Sequence, residues 1–143
     1  MRTVSVFAAC KSYRETLKHF DTLVEKFQEY LSVNSFGNSS VNTKVKQFQV
    51  LGETVEVSIT PMASEFIIGN VEFKLILDRR DKPFNKKTLL QIYLNSKGDF
   101  GLELNEKNEL IYASNIEADN DTDLYITLVV LKNLLDHFGI QTH

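Results

Sequence analysis

The hydrophobic positions of this chain change period twice. From Tyr13 the apolar residues Tyr13, Leu17, Phe20, Val24, Phe27 and Leu31 are spaced by four, three, four, three and four. That spacing lays a stripe down one face of a helix. Leu23 and Tyr30 widen the stripe, while Arg14, Lys18, Glu25, Lys26 and Glu29 fall on the opposite, wet side. Ser12-Tyr13-Arg14-Glu15 reads as a capping box, in which the serine and the glutamate each satisfy an orphan backbone N–H. The expected helix is therefore Tyr13 to Leu31. The short apolar segment Thr3 to Ala9 before it alternates weakly and is expected to be a first strand. Ser32 to Asn42, rich in Asn, Ser and Gly, is expected to be a loop.

The period then becomes two. Val55, Val57 and Ile59 alternate with Thr54, Glu56, Ser58 and Thr60, the pattern of a half-buried strand. Val45 to Leu51 should pair with it as a hairpin through Gly52-Glu53. Pro61 is expected to end that strand, because it cannot donate to a ladder. Phe66 to Ile68 and Val71 to Leu77 flank Gly69-Asn70, which reads as a two-residue hairpin turn. Further strands are expected at Leu89 to Leu94, at Phe100, Leu102 and Leu104, and at Glu109 to Ser114. Turns at Asn95–Asp99 and Asn105–Asn108 separate them. A short helix over Asn85 to Tyr93 is the alternative for one of these segments. No internal repeat and no low-complexity segment is expected.

Helical spacing returns at the end. Leu124, Leu128, Leu131, Leu135 and Phe138 again step by four and three, with Asp121 or Thr122 as cap and Gly139 as the stop. Ile126, Val129, Val130 and Leu134 make this helix, Thr122 to Phe138, apolar nearly all round. It should be buried on more than one side, centrally or against another subunit. The expected fold is α+β: an antiparallel β-meander of about six strands flanked by an N-terminal and a C-terminal helix, in one domain over 1–143. In outline, the helix–strands–helix order and acidic balance are similar to small type III secretion chaperones, closest over Phe100 to Phe138. That likeness covers less than a third of the chain and matches no family motif.

Composition narrows the picture without naming an activity. The 143 residues carry 16 Lys and Arg against 19 Asp and Glu, a net charge of −3. A general nucleic-acid binder would be basic. Cys10 is the single cysteine, so no internal disulfide forms, which suits a reducing compartment. Phe7-Ala8-Ala9-Cys10 resembles a lipoprotein cleavage site, but the apolar run before it is too short for a signal core. No run reaches the roughly 18 apolar residues of a membrane span. Two glycosylation sequons, at Asn38 and Asn120, matter only after secretion. The expected location is cytoplasmic, with no membrane association.

Candidate chemistry is sparse. Asp119, Asp121 and Asp123 alternate as in a calcium loop, but Leu124 and Val130 stand where the turn glycine and distal glutamate belong. His19, His137 and His143 are scattered and suit helix ends better than a zinc site. Cys10 lies close before the helix expected at Tyr13 but has no assured base, so it reads as a small buried hydrophobe. No catalytic, cofactor-binding or metal site is expected, no cofactor, and no enzyme. The segment Arg79, Arg80, Asp81, Lys82, Pro83, Phe84, Asn85, Lys86, Lys87 carries five positive charges and one negative. Its Arg79, Arg80, Lys82, Phe84, Lys86 and Lys87 are the candidate partner or anion contacts. Facing them in sequence, Lys97 to Asp123 holds eight acidic residues and two lysines. Lopsided charge of this kind steers partners. The expected function is a non-enzymatic protein-binding module, with a protein or a second copy as partner. The alternative is a small-ligand domain with a pocket lined by Phe66, Phe73, Tyr93 and Phe100.

Overall fold

A computed structural model describes residues 5–33, 37–39, 46–64, 67–77, 85–111, 113–116 and 122–141. Helix α1 (Val6–Val33) is followed by strands β1 (Gly37–Ser39), β2 (Lys46–Val50), β3 (Glu53–Ala63), β4 (Ile67–Ile76), β5 (Lys86–Leu94), β6 (Asp99–Gly101), β7 (Glu103–Leu104), β8 (Leu110–Ile111) and β9 (Ser114–Asn115), then helix α2 (Thr122–His137). The main sheet runs β1-β2-β3-β4-β5-β6-β9, every pair antiparallel. β7 and β8 form a separate two-stranded ribbon. The expected α+β meander between two helices is what the chain adopts, with no middle helix among the described residues: the alternative helix over Asn85–Tyr93 is not formed, and β5 runs from Lys86, three residues before Leu89.

One face of the sheet carries the core. Phe48, Val50, Val55, Val57, Val71, Phe73, Leu75, Leu90, Ile92 and Leu94 all point to that face and are buried. Both helices cover it and touch each other. Phe27 of α1 sits edge-on to Phe48 at 5.0 Å and to Phe73 at 5.2 Å. Such pairs add specificity to the area they bury. The register slips between Phe73 and Lys74, so Leu89 is an extra residue on β5. This bulge turns Leu89 and Leu90 both inward, and Asn133 of α2 donates its amide to the Leu89 carbonyl that the disturbed ladder leaves.

Several expectations are corrected. Thr3–Ala9 is not a strand where described: α1 begins at Val6, and Ser5 is its cap. The Ser5 hydroxyl accepts from Ala8 N at 3.0 Å while its carbonyl accepts from Ala9 N at 3.0 Å. Ser12 and Glu15 are therefore interior, and Glu15 pairs with Lys18 at 3.1 Å. Within the expected loop at Ser32–Asn42, β1 adds a short edge strand. The first hairpin turn is Leu51-Gly52, one residue earlier than expected, with φ of 52° and 82°. Two consecutive positive φ values match the right-handed twist of a two-residue hairpin.

Pro61 does not end β3. It pairs with Gly69, beyond the point where β2 begins opposite Val57, so no ladder neighbour on that side is interrupted among the described residues. Gly69-Asn70 is not a turn but the interior of β4. The glycine is there for space: a Cβ would lie 2.5 Å from Ile59 Cδ1 and 3.2 Å from Thr16 Cγ2. Its absence lets α1 come down onto the sheet at Thr16.

The Phe100, Leu102, Leu104 alternation breaks at Leu102, which is exposed between β6 and β7. Its partner Glu109–Ser114 likewise splits into β8 and β9. The two turns here are copies of one design. Asn95-Ser96-Lys97-Gly98-Asp99 and Asn105-Glu106-Lys107-Asn108-Glu109 each use the Asn side-chain oxygen to accept two backbone N–H groups, at 2.8–3.0 Å. Each places its fourth residue at positive φ, 84° for Gly98 and 58° for Asn108. Sequence reading overlooked this ten-residue repetition.

α2 ends as expected. Gly139 has φ 79°, Gly139 N donates to Asp136 O and Ile140 N to Leu135 O, the Schellman arrangement. Its buried face, however, is Ile126, Thr127, Val130, Leu131 and Leu134. Of the stripe expected to be core, Leu128 and Phe138 point outward.

Candidate functional site

The basic segment is divided by the fold. Arg79, Arg80, Lys82 and Phe84 lie outside the described residues. Lys86 and Lys87 are consecutive residues of β5, so they point to opposite faces of the sheet. Lys86 reaches Glu56 Oε2 at 2.7 Å on the open face. Lys87 stands opposite Leu75, on the helix side, and its Nζ lies 3.2 Å from His137 Nδ1 at the end of α2. These two lysines therefore do not form one patch with each other.

The open face of the sheet is polar and occupied with itself. Gln91 donates to Asn70 at 2.8 Å, Asn70 to Glu72 at 3.4 Å, and Lys74 stands 3.5 Å from Glu72. The β7–β8 turn is tied to the end of β3, with Ser64 donating to Asn108 O at 2.6 Å and Asn108 donating to Ala63 O at 3.0 Å. Beside that tie lies a half-open cleft of about 360 Å³, bordered by Ile67, Ile68, Leu110, Lys97, Asp99 and Glu109 among others. Among the described residues no aromatic side chain lines it. Of the four aromatics expected around a pocket, Phe73 and Phe100 are buried in the core. Tyr93 stands opposite Gly101 and Asn70, on the other face from Phe73. Phe66 is outside the described residues.

Among the described residues no group of three His, Cys, Asp or Glu side chains stands together. Cys10 is exposed rather than buried. His19 lies nine residues further along α1, half a turn round the helix and roughly 13 Å along its axis, where it packs on Gly98. No thiol–imidazole pair exists between them. No helix is long and apolar enough to cross a membrane among the described residues.

What the structure does display is an apolar stripe that is covered over only part of its length. The spacing read from Tyr13 extends backwards through Cys10 to Val6, again by three and four. From Phe20 on, the stripe residues Phe20, Val24, Phe27 and Leu31 are buried. Before it, Leu17 is 38% exposed, Cys10 is exposed, and Val6 is 80% exposed, with Phe7 beside it at 79%. Tyr13 is half-buried, and burial pushes its phenol above the usual value of 10.0. The signal is in the sequence, but the weak alternation of Thr3–Ala9 masks it by suggesting a separate strand. α2 has outward apolar residues too, but each is less exposed: Tyr125 at 45%, Leu128 at 49% and Phe138 at 53%. No protein family, no curated protein and no solved structure matches this chain.

Proposed function

We propose that the chain is a non-enzymatic protein-binding module whose contact surface is the first three turns of α1. One observation carries this reading: Val6 and Phe7 stand about four-fifths exposed side by side in the first turn of a capped helix. Large apolar side chains grouped in this way mark interaction surfaces, whereas single ones do not.

The test is a photoreactive amino acid placed at Phe7 in the full-length chain, produced at native level in its own cells. The control is the same group at Gln91, on the open sheet face. A discrete protein adduct at position 7 and not at position 91 is expected, whether the adduct is a second copy or another protein. Equal, diffuse labelling at both positions would overturn the reading.

A second reading, binding of a small ligand, has the cleft of about 360 Å³ beside the β7–β8 ribbon in its favour. Its volume lies at the low end for ligand pockets, and among the described residues its lining mixes Lys97, Asp99 and Glu109 with Ile67, Ile68 and Leu110. A thermal-shift screen of metabolites in which Ile68→Trp abolishes every hit would support it.

A further inference from the structure

We infer that the exposed half of the α1 stripe pairs, antiparallel, with the same segment of a second copy of this chain. This rests on the protein-binding reading above and names its partner. Val6, Cys10, Tyr13 and Leu17 recur by four, three and four, the period of a helix–helix seam. In an antiparallel pair centred between Lys11 and Ser12, Val6 faces Leu17 of the second copy, and Cys10 faces its Tyr13. All four positions are then used twice, with a smaller side chain opposite a larger one at each layer. A parallel pair would set Tyr13 on Tyr13 and Cys10 on Cys10, alternating overfilled and underfilled layers.

Three further features favour a second copy in this direction. First, the lengths match. The first fully buried residue of α1 is Thr16, where Gly69 admits the helix. The overlap of residues 6–17, about 18 Å of helix, therefore ends just where each body starts, and the two bodies lie at opposite ends. In a parallel pair they would crowd the same end. Second, the flanks match. Phe7 and Arg14 occupy the solvent side of the seam, and the antiparallel register sets Phe7 of one copy beside Arg14 of the other, a cation–π pairing. Third, the helix dipoles oppose each other.

The test uses the full-length protein in sedimentation equilibrium over a concentration series, with circular dichroism confirming that each variant is folded. The wild-type chain is expected to form a species of twice 16.4 kDa. V6K and L17E should each abolish it, since each puts a charge into an apolar seam. The double variant V6K/L17E should restore the dimer, because only the antiparallel register sets the introduced lysine against the introduced glutamate. Failure of the double variant to recover would overturn the antiparallel register. A wild-type chain that stays monomeric throughout would overturn the pairing itself. In that case a photoadduct from position 7 to a different protein would leave the protein-binding reading standing, so the two failures are distinct.

Discussion

The two helices face the same sheet with opposite economies of apolar surface. α2 is the more hydrophobic, apolar almost all round, and its pattern points to burial on two sides. Yet its outer residues Tyr125, Leu128 and Phe138 stand about half exposed. α1 has a wet back and a single stripe, the pattern of an ordinary surface helix. Yet it carries the most exposed apolar side chains, Val6 and Phe7. The difference is geometric. α2 has 16 residues, and its buried face joins the core shared by the sheet and α1. α1 has 28 residues, about 42 Å, and its N-terminal turns outrun the body that covers the rest. How much of a stripe is buried depends on where the sheet ends, and hydropathy does not record that.

The strongest way to break this comparison is to cut the same aromatic from each half of α1. Phe27 is buried against Phe48 and Phe73. Phe27→Ala should destabilise the fold by about 3–5 kcal/mol in denaturant unfolding, as cavity-forming aromatic deletions do. Phe7→Ala should change monomer stability by no more than about 0.5 kcal/mol, as exposed positions do. Comparable losses at both would mean that Phe7 is covered by its own chain.

The next comparison sets one buried threonine in each helix against the other. Thr16 and Thr127 are both fully buried. The Thr16 hydroxyl donates to Ser12 O at 3.4 Å, whereas Thr127 Oγ1 has no partner among the described residues. Replacing a buried hydroxyl that lacks a partner by a methyl of the same shape removes a desolvation penalty of about 1–3 kcal/mol. Thr127→Val should therefore raise stability by about 1 kcal/mol or more, and Thr16→Val should leave it nearly unchanged. A loss at Thr127→Val would show that its hydroxyl is satisfied after all.

These contrasts also show what was legible in the residues alone. The α+β class, the meander and both helices followed from period, because a 3.6-residue or two-residue repeat is a local property. The turns at Asn95 and Asn105 were found because Asn and Gly carry their own geometry. Errors arose where one residue type serves two purposes. Gly69 makes room for Thr16 and Ile59 rather than turning the chain, and Pro61 sits beyond the described end of its neighbour strand. Ser5 caps α1 with Ala8 three residues on, so no acidic partner advertised it, whereas Ser12 offered a capping box that the helix passes straight through. Of the candidate contacts, Lys86 and Lys87 are separated by strand alternation, a consequence of β5 starting earlier than Leu89. The Val6–Leu17 stripe was readable only once its first turn was recognised as helix.

The helix ends sharpen the comparison at about 1 kcal/mol. Gly139 closes α2 at φ 79°, and Gly139→Ala should cost about 1 kcal/mol for forcing a Cβ into that conformation. Ser5→Ala removes a cap of similar worth, but from turns that bury little. Its effect should appear as faster amide exchange at Ala8 and Ala9, with the global midpoint little changed. A full global loss at Ser5→Ala would mean that the projecting turns fold cooperatively with the body.

The smallest effect follows from Tyr13, in the middle of the exposed stripe. Burial holds its phenol above 10.0, so the folded chain keeps this proton at pH values where the unfolded chain has lost it. The resulting stabilisation is present in full below the unfolded value near 10 and is lost as pH rises through the folded value. Antiparallel pairing sets Tyr13 against Cys10 of the second copy and buries it further, so the upward shift should be larger in the wild-type dimer than in the V6K monomer. Tyr13→Phe should remove the corresponding titration step and flatten the alkaline limb of the dimer's pH profile. The reading is a titration of the Tyr13 ring resonances by NMR, assigned through that substitution. An identical titration in wild type and V6K would place Tyr13 outside the seam and leave α1 projecting into solvent along its whole first half.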